Sequence, residues 1–187
     1  MAGQRPYLAR SKRVVLREPS WRDWGECREL ARVSHKLHRP WVAPPATADD
    51  YRAYLKQIRS ERRQGLLVCR RDDARIAGVI NMNEIVRGVF CSTYLGYYVH
   101  ADHAGQGYMT EGLGLALRYG FQRLKLHRME ANIIPENEPS SRLVQRLGFR
   151  LEGRSPRYLK IGGRWRDHDR WALTIEDWRA QRSNRPR

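Results

Sequence analysis

Two glycines in a short loop mark the part of the sequence that is best suited to bind an anion. Gly105 and Gly107 follow an apolar run that ends at Val99 and precede an apolar-periodic segment that starts at Thr110. Glycine lacks a Cβ, so the main chain there can adopt left-handed dihedrals or approach a ligand closely. The free N–H groups and the dipole at a helix start attract negative charge. The loop predicts a pyrophosphate site, although Gly-x-Gly alone also fits an ordinary turn.

A second segment with chemical potential begins at Asn137, one predicted helix and one predicted strand after the loop. Ser140 starts a short helix predicted to end at Leu147, and Gly148 stands where a glycine commonly ends a helix. Taken alone, Asn137 fits a loop or cap residue and Ser140 fits a helix N-cap. These two polar residues are therefore candidates for function only together with the glycine loop.

The elements that must position these segments follow from apolar periodicity. Ser20 and Thr47 are predicted to cap two helices after a first strand. The remaining predicted elements are strands at 66–69, 76–82 and 93–99, a helix at 110–125, a strand at 129–134, a helix at 140–147, and two strands joined by a turn at Gly162 and Gly163. The order β-α-α-β-β-β-α-β-α-β-β predicts an α+β fold with a mixed, mostly antiparallel central sheet flanked by helices.

Composition limits the classes of protein that fit. The formal charge of +16 favours phosphate-rich partners such as rRNA or an anionic cofactor, but an arginine-rich solvated surface explains it equally well. No apolar run approaches 18 residues and no signal peptide is evident, so we expect no membrane contact and a cytoplasmic protein. Three isolated cysteines predict neither disulfides nor a metal site, and His100, His103 and His168 lack companion ligands.

The chain is predicted to form one domain. Its expected divisions are a loosely held segment at 1–12, the domain itself at 13–178, and a basic tail at 179–187.

The glycine loop resembles the pyrophosphate loop of the GNAT superfamily of acetyl-CoA-dependent N-acetyltransferases. That loop usually has the pattern Gln/Arg-x-x-Gly-x-Gly/Ala, whereas this chain has Ala104 in the first position and Met109 in the last. The Asn137 segment is similar to the family pattern Asn-x-x-Ser followed by a short helix and Leu-Gly-Phe. The segments 39–41, 83–88 and 158–168 resemble the RimJ/RimL branch, whose members acetylate ribosomal proteins. The resemblance covers roughly residues 12–178.

This resemblance implies acetyl-CoA as co-substrate, no metal, and direct attack of an amine on the thioester in a ternary complex. In the family, the pantetheine arm lies along one strand and beside an Asn, here Asn137. A strand N–H, here from Tyr98 or Val99, polarises the thioester carbonyl. The residues implied to bind the co-substrate are Tyr97, Tyr98, Val99, Gly105, Gln106, Gly107, Tyr108, Met109, Thr110 and Asn137.

The usual proton-transfer groups of the family are absent at the matching positions, which are Asn132 and Val144 here. Glu130 shares a predicted strand face with Asn132 and could hold a water that accepts the proton, and Glu84 is a second candidate. For either carboxylate an ion pair is the alternative. Ser140 matches a residue that is thought to protonate the leaving thiolate in RimL-type enzymes, and a helix cap is its alternative.

The absence of a dedicated base favours an α-amine as acceptor, because its pKa of about 7.7–8.0 lies well below the value of about 10.4 for lysine. In relatives the loops that carry Trp41, Tyr158 and Trp165 face the substrate. The expected partner is a protein N-terminus, in particular that of a ribosomal protein, with a monomer or homodimer as the assembly. The alternatives are acetylation of a small amine such as an antibiotic, or a catalytically silent, basic nucleic-acid-binding protein with the same fold.

Overall fold

The computed structural model describes residues 6–183 and is built on one eight-stranded sheet. The strands are β1 (Ala9–Arg10), β2 (Val14–Arg17), β3 (Gln64–Arg70), β4 (Ile76–Val86), β5 (Ser92–Val99), β6 (Arg128–Ile133), β7 (Arg150–Ile161) and β8 (Arg164–Thr174). Their order in the sheet is β1-β2-β3-β4-β5-β6-β8-β7, and every neighbouring pair except β5 and β6 is antiparallel. The predicted α+β class and the mixed, mostly antiparallel sheet are confirmed.

Six α-helices cover the two faces of the sheet. They are α1 (Trp24–Val33), α2 (His35–His38), α3 (Ala48–Gln57), α4 (Tyr108–Arg118), α5 (Glu138–Arg146) and α6 (Ile175–Ser183). A 3₁₀ turn at Trp21–Asp23 precedes α1, and a π-helical turn at Tyr119–Arg123 continues α4. None of the helices in the described part of the chain is long and apolar enough to cross a membrane.

The helix starts follow from local capping. Ser20 and Thr47 both form capping boxes, with Asp23 and Asp50 as the reciprocal partners. Helix α4 begins at Tyr108, two residues before the predicted start, because Gly107 adopts a left-handed φ of 83° and serves as its N-cap.

Two apolar layers stabilise the sheet from opposite faces. Leu113, Leu117 and Phe121 of α4 and its π-helical extension join Val144 of α5 and Trp178 of α6 on one face. On the other face a smaller cluster forms around Leu30 of α1 and Tyr51 and Leu55 of α3, and we call this the α1/α3 face. The β5–α4 and β6–α5 connections therefore carry the chain to the face opposite α1 and α3.

Both ends of the predicted domain make additional contacts. Ala9 and Arg10 pair with Leu16 and Val15 of β2, so this part of segment 1–12 belongs to the sheet. At the other end, α6 continues through the boundary predicted at residue 178. Gln181 in this helix donates a hydrogen bond of 3.1 Å to the carbonyl of Gly148. Residues 1–5 and 184–187 lie outside the described part of the chain.

Helix α4 offers a matched pair of glycines for a test of packing. A Cβ at Gly112 would lie 2.7 Å from a methyl carbon of Val68 in β3, whereas the nearest atom to a Cβ at Gly114 is 3.9 Å away. We expect Gly112→Ala to lower the free energy of unfolding by about 1–2 kcal/mol, because overpacking exceeds the gain in helix propensity. Gly114→Ala should raise it by about 0.5–1 kcal/mol. Urea denaturation of both variants measures the difference, and equal effects would contradict this account of the α4–β3 contact.

Candidate active site

The central feature of the site is an opening between two parallel strands. Strands β5 and β6 pair only at Ser92, Thr93 and Tyr94, opposite residues 128–130. Beyond this point β5 continues to Val99 and β6 continues to Ile133, but their residues no longer pair. We call this opening the β5–β6 gap. Because both strands run toward the gap, the glycine loop after β5 and the Asn137 segment after β6 meet at its open end.

Main-chain groups of β5 line one side of the gap. The N–H of His100 donates to the carbonyl of Ala77 in the strand before β5. Alternate residues of a strand point their N–H and C=O groups to opposite edges, so Tyr98 faces β4 while Tyr97 and Val99 face the gap. Of the two donors that the family resemblance left open, Val99 is therefore the one directed into the gap.

The glycine loop (residues 104–109) presents a row of free donors at the open end. Gly105 has a φ of 73° and Gly107 a φ of 83°, both in the left-handed region. Within the described part of the chain, the main-chain amides of residues 105–110 have no hydrogen-bond acceptor, and the next amide, that of Glu111, donates to the carbonyl of Gly107. These free amides and the dipole of α4 form a favourable site for an anion.

The two departures of the loop from the family pattern have structural counterparts. Met109 is 8% exposed and belongs to the core, where its sulfur would lie 2.4 Å from a Cβ at Gly78. A large side chain on the helix thus packs against a glycine on the strand. Near Ala104, which has lost the basic or amide side chain of the family pattern, Arg13 donates a hydrogen bond of 3.0 Å to the carbonyl of Gln106.

Arg13 is also part of a clamp on the first turn of α4. Its guanidinium pairs with Glu111 and lies 4.9 Å from the centre of the Tyr108 ring, and the hydroxyl of Ser11 donates to Glu111 at 2.8 Å. Burial alone would raise the pKa of Glu111, but the bonds from Ser11 and Arg13 lower it, so the carboxylate stays charged. The sequence analysis did not identify Arg13, because nothing local connects it to a loop more than 90 positions away.

Asn137 has the cap role that fits it as an isolated residue, whereas Ser140 does not. The side chain of Asn137 caps α5 by accepting from the amide of Ser140, so the helix begins at Glu138 and the N-cap alternative for Ser140 is wrong. The Ser140 hydroxyl instead lies 2.6 Å from the phenol oxygen of Tyr97. Burial raises the pKa of Tyr97 to about 12, so its phenol remains protonated. This hydrogen bond joins α5 to β5 across the gap.

The two candidate carboxylates are engaged in ion pairs. Glu130 stands opposite Tyr94, at the last paired position before the gap, and lies 2.7 Å from Nε of Arg128. Glu84 lies 2.5 Å from Arg62 and 3.6 Å from Arg63. The structure thus gives both carboxylates the ion-pair contacts that were the alternative to a catalytic role.

The three candidate substrate residues lie on two separate parts of the chain, one beside α2 and two on the β7–β8 hairpin. The amide of Trp41 donates to the carbonyl of His38 at 2.7 Å, which holds it next to α2. The β7–β8 hairpin projects past the end of β6, whose last residue pairs with Asp169. This overhang carries Tyr158 and Trp165, which are 38% and 61% exposed. Glu136, just before Asn137, lies 3.7 Å from Arg166 of the hairpin.

His38 is a residue of the site that the sequence analysis missed. It is 4% exposed, and its Nε2 lies 2.8 Å from the carbonyl oxygen of Val99, so this nitrogen carries the donated proton. Its Nδ1 is buried without a partner in the described part of the chain, and the ring packs edge-on against Tyr98. His38 therefore fixes the end of β5 through the carbonyl of Val99. A histidine at the end of a short polar helix gave no signal of this in the sequence.

The histidines singled out for their metal-binding potential have other contacts. Nδ1 of His100 accepts from the amide of Asp102, and Nδ1 of His168 lies 2.9 Å from the carbonyl of Arg166. Among residues 6–183 no group of three or more His, Cys, Asp or Glu side chains is arranged to hold a metal ion.

An open gap between parallel strands, with free amides at the start of the following helix, is the architecture of an acyltransferase fold that takes a phosphorylated cofactor. A family model described as acetyltransferase (GNAT) domain matches residues 13–150, and the chain belongs to this family.

The chain is also similar to individual N-acetyltransferases, in sequence and in structure. The [Ribosomal protein uS5]-alanine N-acetyltransferase of Escherichia coli is 45% identical over 107 residues, which cover 57% of this chain and only 55% of that protein. The uncharacterized N-acetyltransferase YnaD of Bacillus subtilis is 28% identical and matches over 90% of this chain and 97% of its own length. The structure of Mycobacterium smegmatis RimJ in complex with CoA-disulfide superposes with a TM-score of 0.80 at 28% identity, covering 87% of this chain and 82% of that one.

The buried histidine predicts a specific dependence of stability on pH. Burial lowers the pKa of His38 below its ordinary 6.5, so its contribution to stability is complete above that pH and is lost on acidification, when the unfolded chain binds the proton more readily. We expect the free energy of unfolding to fall between pH 7 and pH 5, and to fall less in His38→Gln. Urea denaturation at several pH values tests this. An identical decline in both proteins would show that His38 does not contribute.

Proposed function

We propose that this protein transfers an acetyl group from acetyl-CoA to the α-amine of a protein N-terminus. The observation that carries the proposal is the row of free amides at residues 105–110, placed at the open end of the β5–β6 gap. Membership of the acetyltransferase family supports the same reaction class.

The donor set of the gap fits acetyl-CoA. The free amides of the glycine loop suit its pyrophosphate, and Arg13 adds a cation beside the carbonyl of Gln106. The main-chain groups of Tyr97 and the N–H of Val99 can pair with an extended, amide-bearing chain as a further strand would, while the Val99 carbonyl is held by His38. Acetyl-CoA supplies the acetyl group as a thioester, and the protein supplies position, hydrogen bonds and protons.

Val99 is the candidate donor to the negative charge that develops on the carbonyl oxygen when the amine attacks. Its N–H faces the gap, and the hydrogen bond from His38 to its carbonyl holds the strand end in place. A fixed donor of this kind typically contributes about 10²–10³ in rate. The amine attacks directly in this proposal, so no residue of the chain becomes acylated.

Ser140 is the candidate proton donor to the leaving sulfur. Its hydroxyl lies at the first turn of α5, beside Asn137, and is 2.6 Å from the phenol oxygen of Tyr97. The serine proton moves to the sulfur as the carbon–sulfur bond breaks, and the Tyr97 phenol donates a hydrogen bond to the serine oxygen. The proton that the attacking amine releases returns to this oxygen through solvent. The chain thus offers a Tyr97–Ser140 relay in place of the tyrosine that the family more often has at the position of Val144.

The state of the acceptor amine explains how the site can function with both candidate carboxylates in ion pairs. At pH 7.5 about a third of a peptide α-amine is neutral, whereas about a thousandth of a lysine side chain is. The neutral, nucleophilic fraction of an N-terminal amine is therefore more than a hundredfold larger than that of a lysine. A site without a dedicated base favours the N-terminus for this reason. The printed name of the Escherichia coli relative specifies an N-terminal alanine of a ribosomal protein, which makes a peptide that begins with alanine the first substrate to test.

The substrate proposal is tested with a peptide panel and purified protein. We expect acetyl-CoA consumption with peptides that begin with a free Ala or Ser, and at least tenfold lower kcat/KM with the same peptides N-blocked but containing an internal lysine. Spermidine and an aminoglycoside serve as small amines, which the strongly positive protein should disfavour. Faster acetylation of the lysine or of either small amine would refute the N-terminal assignment.

The relay is tested by single substitutions on either side of the gap. Ser140→Ala and Tyr97→Phe should each lower kcat by about tenfold or more with little change in the KM for acetyl-CoA, because proton transfer in the transition state is lost. The adjacent Ser141→Ala is the matched control and should retain wild-type kcat. Full activity in Ser140→Ala would remove Ser140 from the mechanism.

A further inference from the structure

A shallow groove on the α1/α3 face lies outside the site described above. It is lined by Trp21, Arg52, Leu55, Lys56 and Arg59 and has a volume of about 530 Å³. We call it the Trp21 groove. Helix α3 supplies Arg52, Leu55 and Lys56, and the 3₁₀ turn before α1 supplies Trp21. None of its lining residues contacts the glycine loop or the β5–β6 gap in the described structure.

One wall of the groove is an exposed aromatic platform. Trp21 keeps 44% of its surface exposed, although it packs on aromatic neighbours. Its ring lies 6.3 Å from that of Trp24 at an interplanar angle of 14°, and 6.1 Å from that of the buried Tyr51. These neighbours fix the indole in place, so its exposed part is a rigid apolar surface. The packing of Trp21 on its aromatic neighbours does not explain why the rest of its ring is exposed to solvent.

The rest of the groove is cationic. Arg52 and Lys56 are four residues apart on α3, and Arg59 follows just after the helix. The Arg52 guanidinium lies 4.7 Å from the centre of the Trp21 ring and pairs at 2.6 Å with Asp49, whose side chain is almost fully exposed. No carboxylate in the described part of the chain lies within ion-pair distance of Lys56 or Arg59.

Helix stability accounts for only part of this arrangement. The dipole at the end of α3 favours a cation in its last turn, which explains Lys56. Asp49 offsets the repulsion between Arg52 and Lys56, but in the described part of the chain no carboxylate pairs with Lys56 or Arg59. The cations Lys56 and Arg59 lie beside the exposed indole of Trp21. This combination is better explained by a ligand that brings both negative charge and a flat apolar group.

We propose that the Trp21 groove binds a segment of single-stranded RNA. Lys56 and Arg59 contact its phosphates, and an unstacked base packs against the Trp21–Arg52 pair, whose planar guanidinium already lies over the indole. An acidic peptide would use the cations and leave the indole without a partner, whereas unpaired RNA satisfies both. The net charge of +16 favours encounter with such a polyanion. The groove is separate from the transfer site, so this inference does not depend on the proposed acetylation.

The test measures binding of a fluorescein-labelled 12-nucleotide oligoribonucleotide by anisotropy, without acetyl-CoA, at several salt concentrations. The variant Lys56→Glu/Arg59→Glu should bind at least tenfold more weakly. The plot of log K against log salt, which has a negative slope, should also become less steep by about 1.4. Each of the two lost phosphate contacts on a single strand contributes about 0.7 to the steepness. Trp21→Leu keeps every cation and removes the flat ring, and it should bind about fivefold more weakly.

The matched control is Arg123→Glu/Arg146→Glu, which changes the net charge equally. Arg123 and Arg146 are exposed and belong to elements that pack on the opposite face of the sheet. This variant should bind RNA within about threefold of wild type. Circular dichroism and thermal unfolding establish that each variant is folded before it is compared.

Three outcomes would overturn the proposal. The first is an equal loss of affinity in the control variant, which would assign binding to net charge alone. The second is wild-type affinity in Trp21→Leu. The third is displacement of the oligoribonucleotide by poly-glutamate, or by a duplex of the same sequence, as effectively as by unlabelled single strand. Each of these results would show that the groove does not recognise unpaired bases.

Discussion

The early end of the β5–β6 pairing is the constraint on which the other features of the site depend. Two parallel strands that share only three register positions leave main-chain donors and acceptors of β5 without strand partners. Buried groups of this kind are costly unless they are hydrogen-bonded or reach a ligand. Because the strands run in the same direction, the segments that follow them meet at one edge of the sheet. A glycine loop with free amides and an asparagine-capped helix thereby become the two sides of a single opening.

Three contacts hold this opening in shape, and each joins parts of the chain that are distant in sequence. Arg13 and Ser11 fix the first turn of α4 through Glu111, and the hydroxyls of Tyr97 and Ser140 meet across the gap. His38 holds the carbonyl of Val99. The donors of the site are therefore positioned before any ligand arrives, which is what electrostatic stabilisation of a transition state requires. Glu130 and Glu84 are held in ion pairs with arginines instead.

The departures from the family pattern are compensated elsewhere in the molecule. Met109 in the last position of the loop packs over Gly78, a strand residue that has no side chain to occupy the same space. Near Ala104, where the family has Gln or Arg, Arg13 reaches the carbonyl of Gln106 from the position just before β2. A comparison of the motif along the sequence shows only the two departures, at Ala104 and Met109. The compensating residues become visible when β2, β4 and α4 are placed side by side.

The sequence by itself determined the order of the main elements, although not β1, α2 or α6, together with the two N-caps at Ser20 and Thr47, the glycine loop and the segment of Asn137. All of these depend on periodicity or on interactions within a few residues. It also placed the chain in its family through short motifs. Only the tertiary structure decided that Asn137 rather than Ser140 caps α5, that Tyr97 contacts Ser140, that Val99 faces the gap, and that Arg13 and His38 belong to the site. These outcomes depend on strand register and on side chains brought together by folding, and neither leaves a mark in local sequence.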